Sequence, residues 1–241
     1  MDITEGFVEP LPIAITDLHG EVSEEAKLGA DIASVVAADL ERSGLFRPVE
    51  KGAFIQDAAS LRYGPRFGDW RLINAQALVS GNVQLQADGR MVVQFRLWDV
   101  FSEVQMRGTQ YTTPPANWRG IAHRIADEIY QRLTGERGYF NTQIVYIAEQ
   151  GPQNRRIKRL AIMDQDGANH RFLTSGAELV LTPRFSPSTR EITYMAYQSN
   201  GRTEVPRVYL FNLDTGQQEV LGDFPGMTFA PRFSSEGNEV I

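Results

Sequence analysis

The sequence contains no cysteine and no long apolar run, and each absence excludes a kind of protein. Without cysteine in 241 residues there is no disulfide framework, no thiolate nucleophile and no cysteine zinc site, which suits cytosol and periplasm alike. Nowhere do about 18 apolar residues follow one another, so no transmembrane helix and no direct membrane insertion are predicted. The first residues are acidic and lack the cationic and apolar regions of a signal peptide. The protein is therefore expected to be cytosolic, or to have lost its signal.

Positive charge is also scarce. The 24 Lys and Arg residues are outnumbered by 30 Asp and Glu residues, which gives a net charge of −6. Binding to nucleic acid usually needs a basic face, so a nucleic-acid partner is not predicted. The one basic cluster, Arg155–Arg159, follows Gly151 and Pro152 and is predicted to be a charged hairpin turn.

The common signatures of catalysis and metal binding are missing as well. The three histidines, His19, His123 and His170, are far apart and are predicted to be structural or surface residues. The sequence has no Gly-x-Ser-x-Gly, phosphate-loop or dinucleotide motif. Asp164–Asn169 has glycine at its fourth position, where a calcium loop needs it at the sixth, so a hairpin turn is favoured. We therefore predict no enzyme, no cofactor and no metal; the three tryptophans are predicted to be core or sheet-face residues.

What the first half does contain is a mixture of helix and strand signals. Pro12–Ile15 reads as a short buried strand. Ser23 is a candidate N-cap for a helix that ends at Gly44, and 69–75 is a candidate short helix. The apolar positions of the first helix follow one face: Leu28, Ile32, Val35, Val36 and Leu40.

A hairpin and a second helix complete this half. Apolar and polar residues alternate on both sides of Asp88-Gly89, which predicts a β-hairpin, and a third strand is predicted over 103–112. Pro114 and Pro115 open a helix that stops at Gly135. Residues 1–137 are therefore predicted to form an α+β domain in which two helices pack on a small mixed sheet.

The second half contains an internal repeat. Leu181–Ser186 returns 48 residues later as Phe229–Ser234. The same offset pairs further residues of like type: Ile144 with Ile192, Tyr146 with Tyr194, Ala148 with Ala196, Ile162 with Leu210, Asp166 with Asp214 and Leu173 with Leu221. A period of this length with several short strands is typical of a β-propeller blade.

Each repeat reads as three short strands, which in the second copy are 192–197, 207–213 and 217–221. Residues 138–241 hold two 48-residue repeats and the start of a third, whereas propellers close with about four to eight blades. The chain is therefore expected to be part of a longer protein, with its propeller truncated after about two blades.

Three segments resemble the TolB family. Val35–Phe46 resembles the family's V-A-A-D-L-x-x-S-G-x-F segment, and Ala126–Phe140 resembles its D-x-x-x-x-x-L-T-G-x-x-G-x-F stretch. Pro183–Tyr194 resembles the propeller repeat W/F-S-P-D-G-x-x-I-A-Y, which prolyl-oligopeptidase-like peptidases share. Pro187–Thr189 and Ser235–Gly237 stand where Pro-Asp-Gly is usual, so their turns are expected to vary.

The resemblance implies a periplasmic binding module of the Tol-Pal system of a Gram-negative bacterium, with a six-bladed propeller. It implies a scaffold that links the lipoprotein Pal to TolA, with other Tol or outer-membrane proteins as further candidates, and that supports outer-membrane integrity and envelope constriction in cell division. The alternative is the noncatalytic propeller part of a prolyl-oligopeptidase-like serine peptidase, whose hydrolase domain would lie outside this sequence.

The resemblance also suggests where Pal binds. In a propeller, the residues just before the innermost strand of each blade line the mouth of the channel, and the 48-residue offset makes two segments equivalent there. The residues assigned to Pal are Leu179, Val180, Leu181 and Thr182, and Met227, Thr228, Phe229 and Ala230.

The N-terminal segment is the candidate site for TolA. It has no helix cap and precedes the first strand, so by itself it is predicted to be a flexible tail that can add as a strand to a partner's sheet. The residues assigned to TolA are Asp2, Ile3, Thr4, Glu5, Gly6, Phe7 and Val8.

Overall fold

The computed structural model describes residues 9–199, 201, 203–222 and 230–241. The chain divides into two compact units, residues 1–141 and 142–241. The domain limit expected between residues 137 and 138 stays a prediction.

The first unit is built on a five-stranded mixed sheet. Its strand order is β2-β1-β3-β4-β5, with β1 parallel to both β2 and β3 and the other pairs antiparallel. The strands are β1 (Leu11–Ile15), β2 (Phe46–Pro48), β3 (Ala77–Leu85), β4 (Met91–Asp99) and β5 (Gln105–Thr113). The predicted hairpin and third strand are confirmed, and Gly89 has the positive φ of 81° that its turn requires.

Two long helices cover one face of this sheet, as predicted. The α-helices are α1 (Ser23–Arg42), α2 (Phe67–Leu72) and α3 (Trp118–Thr134), and the 3₁₀ helices are Lys51–Ala53, Ser60–Tyr63 and Pro115–Asn117. The apolar stripes of α1 and α3 pack on the inward side chains of the sheet in the larger core. On the other face, Leu61 and the buried Trp70 pack on Leu78 of β3.

The start of α1 and the extent of α2 differ from expectation. Ser23 is the first helical residue and not the N-cap, which is Val22. The short helix expected over 69–75 begins and ends earlier, and it does not continue to residue 75 because Asn74 takes a left-handed φ of 58°.

Glu25 stabilises the N-terminus of α1. Its Oε2 accepts hydrogen bonds from the backbone N–H of Glu21 at 2.9 Å and of Val22 at 3.3 Å. Its Oε1 accepts one from the N–H of Leu85 in β3 at 2.7 Å. These bonds, the one from Leu85 most strongly, lower the pKa of the Glu25 carboxyl below its ordinary value of 4.5.

Glu25→Gln is expected to reduce the free energy of unfolding at pH 7 by about 1.5 kcal/mol, because bonds to an ionised acceptor become bonds to a neutral one. Since the folded pKa is lowered, the wild-type carboxylate contributes stability above pH 4.5, and this contribution is lost as the pH falls through the folded pKa. Urea titrations should show that the difference in free energy of unfolding between the wild type and Glu25→Gln becomes smaller at acidic pH. Glu24→Gln, an exposed neighbour on the same helix, is the control and should show no such pH dependence.

The second unit is entirely antiparallel. A three-stranded sheet contains β6 (Gln143–Gln150), β7 (Ile157–Asp164) and β8 (Arg171–Phe172). A four-stranded sheet of order β12-β11-β10-β9 contains β9 (Leu179–Phe185), β10 (Glu191–Ser199), β11 (Glu204–Asn212) and β12 (Gln218–Gly222). Both sheets contribute to one core, and within the described residues they do not close into a ring.

The strand register repeats every 48 residues, as the sequence predicts. Tyr146 pairs with Ala161 in the first sheet, and the residues 48 positions later, Tyr194 and Tyr209, pair in the second. The next strand follows the same rule, since Ile162 lies opposite Arg171 and Leu210 lies opposite Glu219. The two sheets are therefore successive copies of one blade pattern.

Two turns that the sequence analysis assigned are confirmed. The basic cluster forms the β6–β7 turn and the start of β7, where Arg156 and Lys158 each pair with Glu149 at 2.8 Å. The 164–169 segment connects β7 to β8, with the Asp164 N–H bonded to the Ala168 carbonyl at 2.9 Å. Among the described residues, no helix is long and apolar enough to cross a membrane.

Candidate functional site

The predicted Pal-binding segment 179–182 lies at the beginning of β9. Leu179 is 39% exposed, whereas Val180 is 1% exposed and belongs to the core between the two sheets. This is the alternation of a strand, in which successive side chains point to opposite faces. Leu179 is therefore the residue of this segment that offers the most apolar surface to a partner.

Thr182 has an unusual backbone. Its φ is 48°, in the left-handed region that β-branched residues rarely adopt, and a bulge shifts the register between Thr193 and Met195 opposite it. Ala230, which is 48 residues later, has a φ of 47°. The same kink thus recurs in both repeats at the predicted site.

Buried polar atoms accompany the kink. The hydroxyl oxygens of Thr182 and Thr193 are buried and have no hydrogen-bond partner among the described residues. An unsatisfied buried hydroxyl at a strained position is a feature typical of binding sites. The other predicted residues here, Met227, Thr228 and Phe229, lie outside the described residues.

The TolA-binding candidate, residues 2–8, lies outside the described residues too. The described chain begins at Glu9 and enters β1 at Leu11, whose N–H bonds to the Leu45 carbonyl at 2.9 Å. A cavity of about 380 Å³ lies at this point. Its lining is largely apolar: Glu9, Pro10, Leu11, Pro12, Leu45, Phe46, Gln76, Leu133 and Thr134.

The first resemblance motif forms a buried polar contact between two helices. Asp39 of α1 is fully buried, and its Oδ2 lies 2.6 Å from Nδ1 of His123 on α3. Its Oδ1 accepts a hydrogen bond from Arg42 at 3.1 Å. The prediction that His123 is structural fits this contact, but its partner has no local sequence signal because it is 84 positions away.

The second motif fixes the chain as it leaves α3. Gly135 takes a φ of 81° at the helix end, and the Asp127 carboxylate accepts the N–H groups of Phe140 at 2.6 Å and Asn141 at 3.2 Å. Burial raises the pKa of the Asp127 carboxyl, although these two bonds act in the opposite direction. A Cβ at Gly138 would lie 2.4 Å from the Asp127 Cα. The spacing of the motif therefore has a structural reason.

A cluster that the sequence analysis missed joins α3 to β5. Glu128 accepts hydrogen bonds from Arg107 at 2.6 Å, from Thr109 at 3.0 Å and from the Tyr111 hydroxyl. Burial alone would raise the pKa of Glu128, but these donors outweigh it and lower the value. The signal available in the sequence was the polar alternation 107, 109, 111 along one face of β5.

Comparison with known proteins gives matches along both units. Residues 1–106 match the TolB amino-terminal domain, and residues 130–241 match the TolB beta propeller domain. Over 229 aligned residues the chain is 64% identical to the Tol-Pal system protein TolB of Paramagnetospirillum magneticum. The aligned region covers 95% of this chain and 50% of that protein. The chain thus spans about half the length of this curated relative.

A solved structure of a TolB supports the same assignment. The crystal structure of TolB from Acinetobacter baumannii matches with a TM-score of 0.78 and 28% identity, over 96% of this chain and 54% of that one. The mixed sheet with its helices and the repeated antiparallel sheets therefore occur together in a TolB. With both units matched to TolB domains, in sequence and in fold, the chain belongs to the TolB family.

Proposed function

We propose that this protein is a periplasmic interaction scaffold of the Tol-Pal system and not an enzyme. It links Pal to TolA and so supports outer-membrane integrity and envelope constriction during cell division. The 64% identity to a Tol-Pal system protein carries this proposal. The peptidase alternative loses support because residues 1–106 match the TolB amino-terminal domain.

Pal binds, in this proposal, at the mouth formed by the starts of equivalent innermost strands. The exposed Leu179 and the repeated kink at Thr182 and Ala230 support this placement. Met227 and Phe229, at the equivalent position of the next repeat, supply further apolar side chains. Each apolar side chain buried in a partner's pocket contributes about 1.5–3 kcal/mol.

Leu179→Asp and Met227→Asp, each made in the full-length protein, are expected to weaken Pal binding by at least about tenfold. The control is Val220→Asp, because Val220 is also exposed and apolar but lies on β12, at the opposite edge of the sheet from β9. Isothermal titration with purified Pal measures all three variants. Equal affinities for the wild type and both mouth variants would refute this placement.

TolA binds the segment 2–8 by strand addition, which gains main-chain hydrogen bonds along the tail. Ordering the tail costs about 1–2 kcal/mol per residue in backbone entropy, so binding should be weak and should depend on whether the tail packs on its own domain. The apolar cavity at Leu11 and Leu45 lies where the described chain begins.

Deletion of residues 2–8 tests this second contact. TolA binding is expected to be lost while Pal binding is retained, since the two sites lie on different units. Both affinities are measured on the same preparation, so a misfolded variant is recognised by loss of both. Full TolA binding by the deletion variant would rule out the segment.

A further inference from the structure

The first unit contains a polar pocket that the proposed scaffold function does not use. It has a volume of about 200 Å³ and lies on the sheet face opposite α1 and α3. Its floor is the facing pair of strands β3 and β4, where Ser80 lies opposite Arg96 and Asn82 lies opposite Gln94. Because side chains two residues apart share a face, Gln84 extends the same row.

Two further segments form the walls. His19 forms a bridge with Asn82, and its backbone N–H and C=O bond to Gly81 at 2.9 Å and Val83 at 2.8 Å. Arg62 comes from the 3₁₀ helix on the other side, where its Nη2 bonds to the Tyr63 hydroxyl at 2.7 Å. Backbone hydrogen bonds therefore hold the His19 wall against the floor.

The charge at this pocket is opposite to that of the whole protein. Two guanidinium groups, Arg62 and Arg96, line it against one lining carboxylate, Glu21. The carboxylate of Glu25, from the neighbouring α1, is held by three backbone N–H groups. In a chain of net charge −6, a pocket with this excess of cations favours an anionic ligand.

Several donors of the pocket have no partner within the part of the chain that the structure describes. Among the described residues, Arg96 makes no ion pair, and neither Arg96 nor the side-chain amides of Asn82 and Gln84 form any hydrogen bond to protein. A guanidinium group binds a carboxylate through two parallel N–H bonds. Amide side chains spaced by two residues can bond to the main chain of an extended peptide.

We propose that this pocket binds a glutamate or aspartate side chain of an acidic peptide segment of a partner protein. Arg96 and Arg62 pair with the carboxylate, and Asn82 and Gln84 bond to the peptide backbone beside it. The volume holds one acidic residue and its main chain and is too small for a folded domain. The residues that line this pocket differ from those assigned above to Pal and TolA.

The probe is the acetylated, amidated pentapeptide Ala-Glu-Ala-Glu-Ala, added to the ¹⁵N-labelled chain up to about 10 mM, a range that detects millimolar binding. Amide shifts are expected at Gly81, Asn82 and Val83. Arg96→Gln should weaken binding about tenfold, whereas Arg90→Gln, an exposed arginine of the β3–β4 turn paired with Asp88, should leave it unchanged.

The matching Ala-Gln-Ala-Gln-Ala peptide shows whether charge is recognised, and inorganic phosphate shows whether any anion suffices. Spectra of each free variant show that it is folded. The proposal is overturned if the glutamate peptide causes no shifts, if both peptides bind equally, if phosphate binds while the peptide does not, or if Arg96→Gln binds like the wild type.

Discussion

Replacing Asp39 with alanine is expected to lower the free energy of unfolding of the first unit by about 3–5 kcal/mol. The carboxylate is fully buried, 2.6 Å from the His123 imidazole and 3.1 Å from the Arg42 guanidinium. The variant keeps His123 buried and takes away the acceptor that faces Nδ1. Removing one member of a buried pair costs more than the pair contributes, because the remaining polar group stays desolvated.

Asp31→Ala is the matched control, since Asp31 lies on the same helix and forms no ion pair or hydrogen bond with described side chains. Alanine favours helix over aspartate by roughly 0.5 kcal/mol, so this variant should be neutral or slightly more stable. Urea denaturation followed by circular dichroism gives both values. If the two variants differ by less than about 1 kcal/mol, the buried pair is not an important source of stability.

The elements of this fold that could be predicted are those specified by local patterns. The hairpin around Asp88-Gly89 and the two long helices follow from periodicity and from stop signals such as Gly135. The repeat was predictable for a related reason, because an offset of 48 residues in sequence becomes the same offset in strand pairing.

What could not be predicted depends on contacts between distant segments. Ser23 has the chemistry of an N-cap, but Val22 holds that position. The backbone N–H groups at the helix start bond instead to Glu25, which also accepts the N–H of Leu85, 60 positions away. No local pattern indicates that bond. The partnership of Asp39 with His123 is hidden in the same way, although the resemblance motif singled out the Asp39 segment.

The candidate sites include features that follow from a local pattern and features that depend on contacts between distant segments. Strand alternation implies that Leu179 and Val180 face opposite sides, but which of the two is buried depends on how the two blade sheets pack. The cationic pocket needs three segments at once, the 19–21 turn, the 3₁₀ helix at 60–63 and the β3–β4 face. Its residues have no common motif, so only the folded chain brings them together.

The second large effect is expected at Gly29, a buried glycine within α1. Its ideal Cβ would lie 1.9 Å from the carbonyl oxygen of Leu18, and the Gly29 carbonyl accepts the Leu18 N–H at 3.3 Å. Gly29→Ala therefore forces α1 away from the backbone that follows β1. Both atoms in the clash are held by the main chain, so we expect a destabilisation on the order of 3 kcal/mol.

Gly68→Ala tests whether this loss comes from close packing or from the substitution itself. Gly68 lies in α2, is exposed, and has nothing within 4 Å of its ideal Cβ. In a helix, alanine is favoured over glycine by about 0.5–1 kcal/mol, so this variant should gain stability. The two identical substitutions should thus change the free energy of unfolding in opposite directions. Gain of stability in both would mean that α1 does not approach the Leu18 backbone as closely as the structure indicates.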